Sequence, residues 1–133
     1  MRSVFPRLHG SAPQATAAAH APTRTLAVLP FKPLRLAERD EALELGMTES
    51  LITHLAGRSE RTIRPLSSVR RFAALDQDAI AAGRELGVDA VLEGLMQREG
   101  DRLRVSVRLL QVNGGKQLWA RSFEQPFTRI FDV

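Results

Sequence analysis

From Arg102 to Leu109 the chain reads Arg-Leu-Arg-Val-Ser-Val-Arg-Leu, with polar and apolar residues alternating without a break. Successive side chains of a strand point to opposite faces, so this run is predicted to be a β-strand with one apolar and one cationic face. Turn signals stand on both sides of it, Gly100-Asp101 before and Asn113-Gly114-Gly115 after, each flanked by further strand-like sequence. The expectation is an antiparallel meander over about 89–98, 102–112 and 116–124. Such a meander leaves little room for an active site in the C-terminal third.

Upstream, the apolar run Thr25-Leu26-Ala27-Val28-Leu29 suits a central strand buried on both faces, closed by Pro30. Pro30 and Pro33 withhold ladder hydrogen bonds, so 32–39 is expected as a loop. Asp40 is placed to cap a helix whose apolar stripe is Leu43, Met47, Leu51 and Leu55, widened by Ile52 and ended by Gly57. In that helix Glu41 and Glu44 suit the positive end of the dipole and a solvated surface, with Glu49 on the far side. Thr62 to Leu66 reads as a second strand. Ser67 or Ser68 is expected to cap a short helix bearing Val69 and Phe72, and Asp78 to cap another ending at Gly87. The sum is an α/β fold (an α+β sandwich) in β-α-β-α-α-β-β-β order. It has a mixed five-stranded sheet, helices packed on one face, and the first two strands parallel through a right-handed crossover.

Residues 1–24, rich in Ala, Pro, Ser and Thr, bury too little apolar area to offset ordering and read as a flexible linker. A single domain is expected over 25–126, and 127–133 as the start of a helix or a linker to a following domain. The 133 residues contain no cysteine, which removes disulfides, thiolate metal sites and a cysteine nucleophile. Two of the three histidines, His9 and His20, fall in the linker, so no histidine metal cluster is expected. The net charge of +4 comes largely from Arg2, Arg7 and Arg24, and beyond them 16 Lys/Arg face 15 Asp/Glu. No segment approaches the roughly 18 apolar residues of a membrane span, and Met1 to Gly10 has no apolar signal core. A cytoplasmic location without membrane contact is the expectation.

No phosphate-binding glycine loop, nucleophile elbow or paired catalytic carboxylate is present, so no catalytic residue, metal or cofactor is assigned. Two candidate binding sites follow from pattern. Arg102, Arg104 and Arg108 share one strand face, with Arg98 or Arg121 as flanking cations. This exposed basic face keeps the sheet soluble or meets a partner, and direct nucleic-acid binding is not expected. The side that Trp119 takes depends on the hairpin loop: two residues would leave it beside the arginines, three would bury it. The second candidate is the crevice at the C-terminal ends of the first two strands, where Phe31, Lys32, Ser67 and Ser68 could receive a small anion.

Several words of the sequence occur together in a known order: Leu26-Ala27-Val28-Leu29-Pro30-Phe31, Gly46-Met47-Thr48-Glu49-Ser50-Leu51, Ser67-Ser68-Val69, and the long Gly83-Arg84-Glu85-Leu86-Gly87-Val88-Asp89-Ala90-Val91-Leu92-Glu93-Gly94. Gly100 to Val105, Leu118-Trp119-Ala120 and Phe131-Asp132-Val133 complete the set. From about Arg24 to Val133 the chain resembles the TolB-like amino-terminal domain. It departs at Lys32, where that family usually has Asn, and at Leu43 to Leu45, which lack the family's aromatic residue. The resemblance implies a non-enzymatic sensory or protein-interaction module of a bacterial transcriptional regulator, acting in signal transduction. The implied partners are fused or separate domains of winged-helix, kinase, cyclase or tetratricopeptide-repeat type, and a homodimer stays open. Two alternatives stand beside it: a small anionic-ligand sensor using the crevice, and a cell-envelope protein similar to Tol-associated or flagellar lipoproteins.

Overall fold

The computed structural model describes residues 23–126. The helix start expected over 127–133 lies outside them, as does the linker expected over 1–24 except for Thr23 and Arg24. Six strands run β1 (Thr25–Val28), β2 (Lys32–Pro33), β3 (Thr62–Ile63), β4 (Ala90–Glu99), β5 (Arg102–Gln111) and β6 (Gln117–Pro126). The helices are α1 (Glu41–Ala56), α2 (Leu66–Val69) and α3 (Ala79–Leu86), with short 3-10 turns at Leu36–Glu38 and Arg70–Phe72. The sheet order is β3-β1-β4-β5-β6, with β2 adding to β4. β1 is parallel to β3 and β4, while β4, β5 and β6 form the antiparallel meander. The mixed sheet and meander are those the alternation implied.

After half-buried Thr25, β1 is buried, with Leu26, Ala27 and Val28 fully inaccessible, as a strand covered on both faces requires. The helix ends follow their sequence signals. Asp40 accepts from the Leu43 N–H at 3.1 Å and Asp78 from the Ala81 N–H at 2.8 Å. Gly87 closes α3 in the left-handed conformation at φ +70°.

Four expectations need correction. The 32–39 segment is not wholly a loop, because Lys32 and Pro33 pair parallel with Leu95 and Met96. A two-residue strand bonded on one side only tolerates a proline that donates nothing. The serines do not cap α2. Pro65 occupies that position and no side chain caps it.

Glu44 is not a solvated dipole partner but is 1% exposed. Its carboxylate accepts from the Asp40 N–H at 2.8 Å and meets Arg39 Nε at 3.1 Å. Arg39 in turn donates to the Ala73 carbonyl at 3.0 Å, tying the start of α1 to the segment after the second 3-10 turn.

Finally, the helices are not all on one face. A β-carbon on Gly83 of α3 would stand 2.9 Å from Val91 Cγ1 and closer still to Val112, so α3 packs on the Val91 side of β4. Gly94, three residues further along the strand and so on the other side, has its β-carbon space filled by the Phe31 ring. Right-handed crossovers explain the arrangement. The chain steps outward from β1 to β3 and then back across β1 to β4, which puts successive helices on opposite faces.

Candidate functional site

α3 is only eight residues long and covers one half of its sheet face, over Val91, Leu110 and Val112. The strands continue beyond it. Pairing brings Glu93, Leu95 and Gln97 of β4 beside Arg108, Ser106 and Arg104 of β5. These in turn lie beside Ala120, Ser122 and Glu124 of β6. This half of the face is open. Leu95 is 43% exposed, and Leu34, two residues beyond Lys32 on the same side, is 55% exposed. A groove of about 380 Å³ runs over it, lined by Leu95, Ser106, Ala120 and Ser122 and bounded by Glu93 and Arg108. Small residues beside Leu95, within a rim of paired charges, suit the seating of a side chain or a helix rather than bond chemistry.

The three arginines lie on this open face, as their shared parity required, but each has an acid beside it. Arg108 pairs with Glu93, Arg104 donates to Glu124 at 2.9 Å, and Arg102 reaches the same carboxylate at 3.5 Å. The Arg104 hydrogen bond is the chief reason that Glu124 titrates below the usual glutamate value. Two carboxylates thus stand against the three arginine charges, Glu124 being shared by Arg102 and Arg104, which is unlike the clustered, unpaired cations of a phosphate-binding face. Of the suggested flanking residues, Arg98 pairs with Leu103 and Arg121 with Val107, so both fall on the opposite face.

Trp119 pairs with Leu109 and is partly buried against the core, which is the arrangement a longer turn gives. Gly114 and Gly115 both take positive φ in that turn, and a register shift falls between Leu109 and Leu110.

The crevice residues are dispersed in role. Phe31 is buried over Gly94, and its N–H donates to Thr48 Oγ1 at 2.9 Å. The Lys32 ammonium donates to the carbonyls of Gln77 at 2.9 Å and Leu75 at 3.5 Å, fastening the segment ahead of α3. Burial lowers its pKa, partly offset by Glu93 and Asp76. Ser67 is exposed and Ser68 half-buried on a helix of one turn. No hydrogen bond or ion pair joins Lys32 to either serine among the described residues. Sequence reasoning missed Leu34, Leu95, Ala120 and Ser122. The signal was available in the parity of β4 and β6, once their pairing with β5 is fixed.

Residues 22–129 match the family model described as the HilA/YgeH-like transcriptional regulator, second domain. The chain is 30% identical over 109 residues to a protein of Rhizobium meliloti (strain 1021) named "Putative adenylate cyclase 3". That alignment covers 82% of this chain and 19% of the relative, so the chain spans about a fifth of that protein's length. Among solved structures, lipoprotein GNA1162 from Neisseria meningitidis aligns with a TM-score of 0.62 at 21% identity, covering 75% of this chain and 80% of that one. The LpoB C-terminal domain from Salmonella enterica aligns with a TM-score of 0.57 at 16% identity, covering 85% and 90%. At these identities the structures share the fold. Taken together, the matches agree with the TolB-like regulatory-domain resemblance seen in the sequence.

Proposed function

Because the chain belongs to the family of HilA/YgeH-like transcriptional regulator second domains, we propose that it is a non-catalytic docking module. In this reading it joins a signal-receiving part of a bacterial regulator to its output domain on the cytoplasmic side. The observation that carries the reading is the half-covered sheet face. α3 closes one half as core, while Leu95, Leu34 and the groove over Ser106, Ala120 and Ser122 stay open beside it. Exposed leucines gathered on one side of a small domain mark a contact surface more often than scattered ones do. The internally matched charges of Glu93–Arg108 and Arg104–Glu124 frame that surface without attracting nucleic acid. The shares of length in the cyclase match support a module used as one part of a longer protein. Winged-helix, kinase, cyclase and repeat domains are the neighbours we expect.

The test is a Leu95→Glu substitution in a complete regulator carrying this module. Output is compared with that of Arg84→Glu, which alters the exposed end of α3. The reading expects Leu95→Glu to abolish signal-dependent output at unchanged protein level, and Arg84→Glu to leave it intact. Equal output from the two variants contradicts it. The anionic-ligand reading is disfavoured by the commitment of Lys32 to the carbonyls of Leu75 and Gln77.

A further inference from the structure

We propose that the outer edge of β6 accepts an extended acidic segment of a partner protein as an added strand, with a carboxylate opposite Arg121. The inference rests on the docking-module reading and gives its partner a chemistry. β6 is ten residues long, and among the described residues it pairs only with β5. Its outward N–H and C=O groups therefore form a template for another strand. The usual protections of such an edge are sparse here. Pro126 stands at the very end, and the register shift lies near the other end, between Leu109 and Leu110.

Trp119, Arg121 and Phe123 follow one another on a single face of that edge. The two aromatic residues are partly buried against the core, whereas Arg121 between them is exposed. Arg102, Arg104 and Arg108 all have glutamates beside them, but no ion pair joins Arg121 to an acid among the described residues. An added strand with an acidic residue at this register forms a charge-assisted pair with the guanidinium. Apolar residues two positions to either side of that acid then meet Trp119 and Phe123 as cross-strand neighbours. On the other face Ala120 and Ser122 are small and open into the groove, leaving room for the strand's alternate side chains.

A second copy of this chain does not meet the requirement. Pairing about a two-fold axis normal to the sheet keeps each residue on its own face. The acid of β6, Glu124, lies on the face opposite Arg121. Symmetric pairing therefore sets Arg121 against Trp119, Phe123, Gln125 or another Arg121, none of them an acid.

The experiment titrates the isotope-labelled full chain with the blocked peptide Lys-Thr-Val-Thr-Glu-Thr-Val-Thr-Lys and with its central-Lys counterpart, following backbone amide resonances. The proposal expects saturable shifts along β6 with the Glu peptide and at least about tenfold weaker binding of the Lys peptide. Arg121→Glu should reverse the preference and Arg121→Gln remove it, both with otherwise unchanged spectra because the side chain is exposed. Equal affinity for the two peptides, shifts centred on another element, or no saturable shift overturns the proposal. So does a concentration-dependent dimer built through β6. Leu95→Glu, which tests the docking module itself, should leave peptide binding intact. Loss of regulator output with Leu95→Glu alongside failed peptide binding would overturn the added strand alone.

Discussion

The ring of Phe31 occupies the space that a β-carbon on Gly94 would need, so the loop leaving β1 is seated directly on the central strand β4. Phe31 is held in place from behind, its N–H bonded to Thr48 of α1. A glycine inside a strand otherwise weakens it, and here close approach is the compensating reason. Gly94→Ala should therefore destabilise by about 1–3 kcal/mol, the usual cost of overpacking. Adding Phe31→Leu should recover part of that loss, so that the two changes are not additive in a urea-unfolding cycle. Additive effects would mean that ring and glycine do not compete for this space.

Thr48 is fully buried and bridges two backbone groups, accepting from Phe31 N–H at 2.9 Å and donating to the Glu44 carbonyl at 2.8 Å. Thr48→Val keeps the volume but leaves the Phe31 N–H without an acceptor. A loss of about 1–3 kcal/mol is expected in denaturant unfolding, with Thr48→Ser costing much less. Equal losses for Val and Ser would assign the effect to the methyl group's packing instead.

The Arg39–Glu44 pair is buried at its acidic end, so removing one partner strands the other. Glu44→Ala should cost about 3–5 kcal/mol, while Glu41→Ala, at an exposed carboxylate 3.5 Å from the same arginine, should change stability by well under 1 kcal/mol. Thermal unfolding of the two variants side by side checks this contrast.

Asp89 ties the start of β1 to the start of β4, accepting from the N–H groups of Arg24 at 2.9 Å and Thr25 at 3.1 Å. The Arg24 hydrogen bond is the leading cause that lowers its pKa. A carboxylate with a folded pKa below its unfolded value stabilises above the ordinary carboxylate range of about 3.9. That contribution is lost as pH falls through the folded value. Melting temperature measured from neutral pH into acid should therefore fall more steeply for the natural chain than for Asp89→Asn. Parallel curves would contradict the assignment.

Much of the fold was legible because it is local. The alternation of β5, the aspartate caps and the buried run of β1 each rest on spacing within one segment. What escaped depends on pairings between segments. The side taken by Trp119 hangs on a single residue of turn length, since a slip of one exchanges the two faces of β6. Glu44 stands three and four residues before Met47 and Thr48, in phase with the buried stripe of α1, but its charge suggests a solvated position until Arg39 and the Asp40 N–H are seen to partner it. The placement of α3 opposite Phe31 needs the strand order, which no single segment carries. Arg102, Arg104 and Arg108 share one parity of β5 and so one face. Its balancing acids, Glu93 and Glu124, come from the two neighbouring strands and could be matched to it only through the register.

The most direct measurement is amide hydrogen exchange in this chain alone and in a complete regulator that contains it. The account expects slower exchange in the regulator along the outer edge of β6 and on the open side of β4 and β5 around Leu95 and Ser106, with α1 and α3 unchanged. Identical exchange of these strands in both forms, or new protection confined to the helices, would contradict a docking role for this side of the sheet.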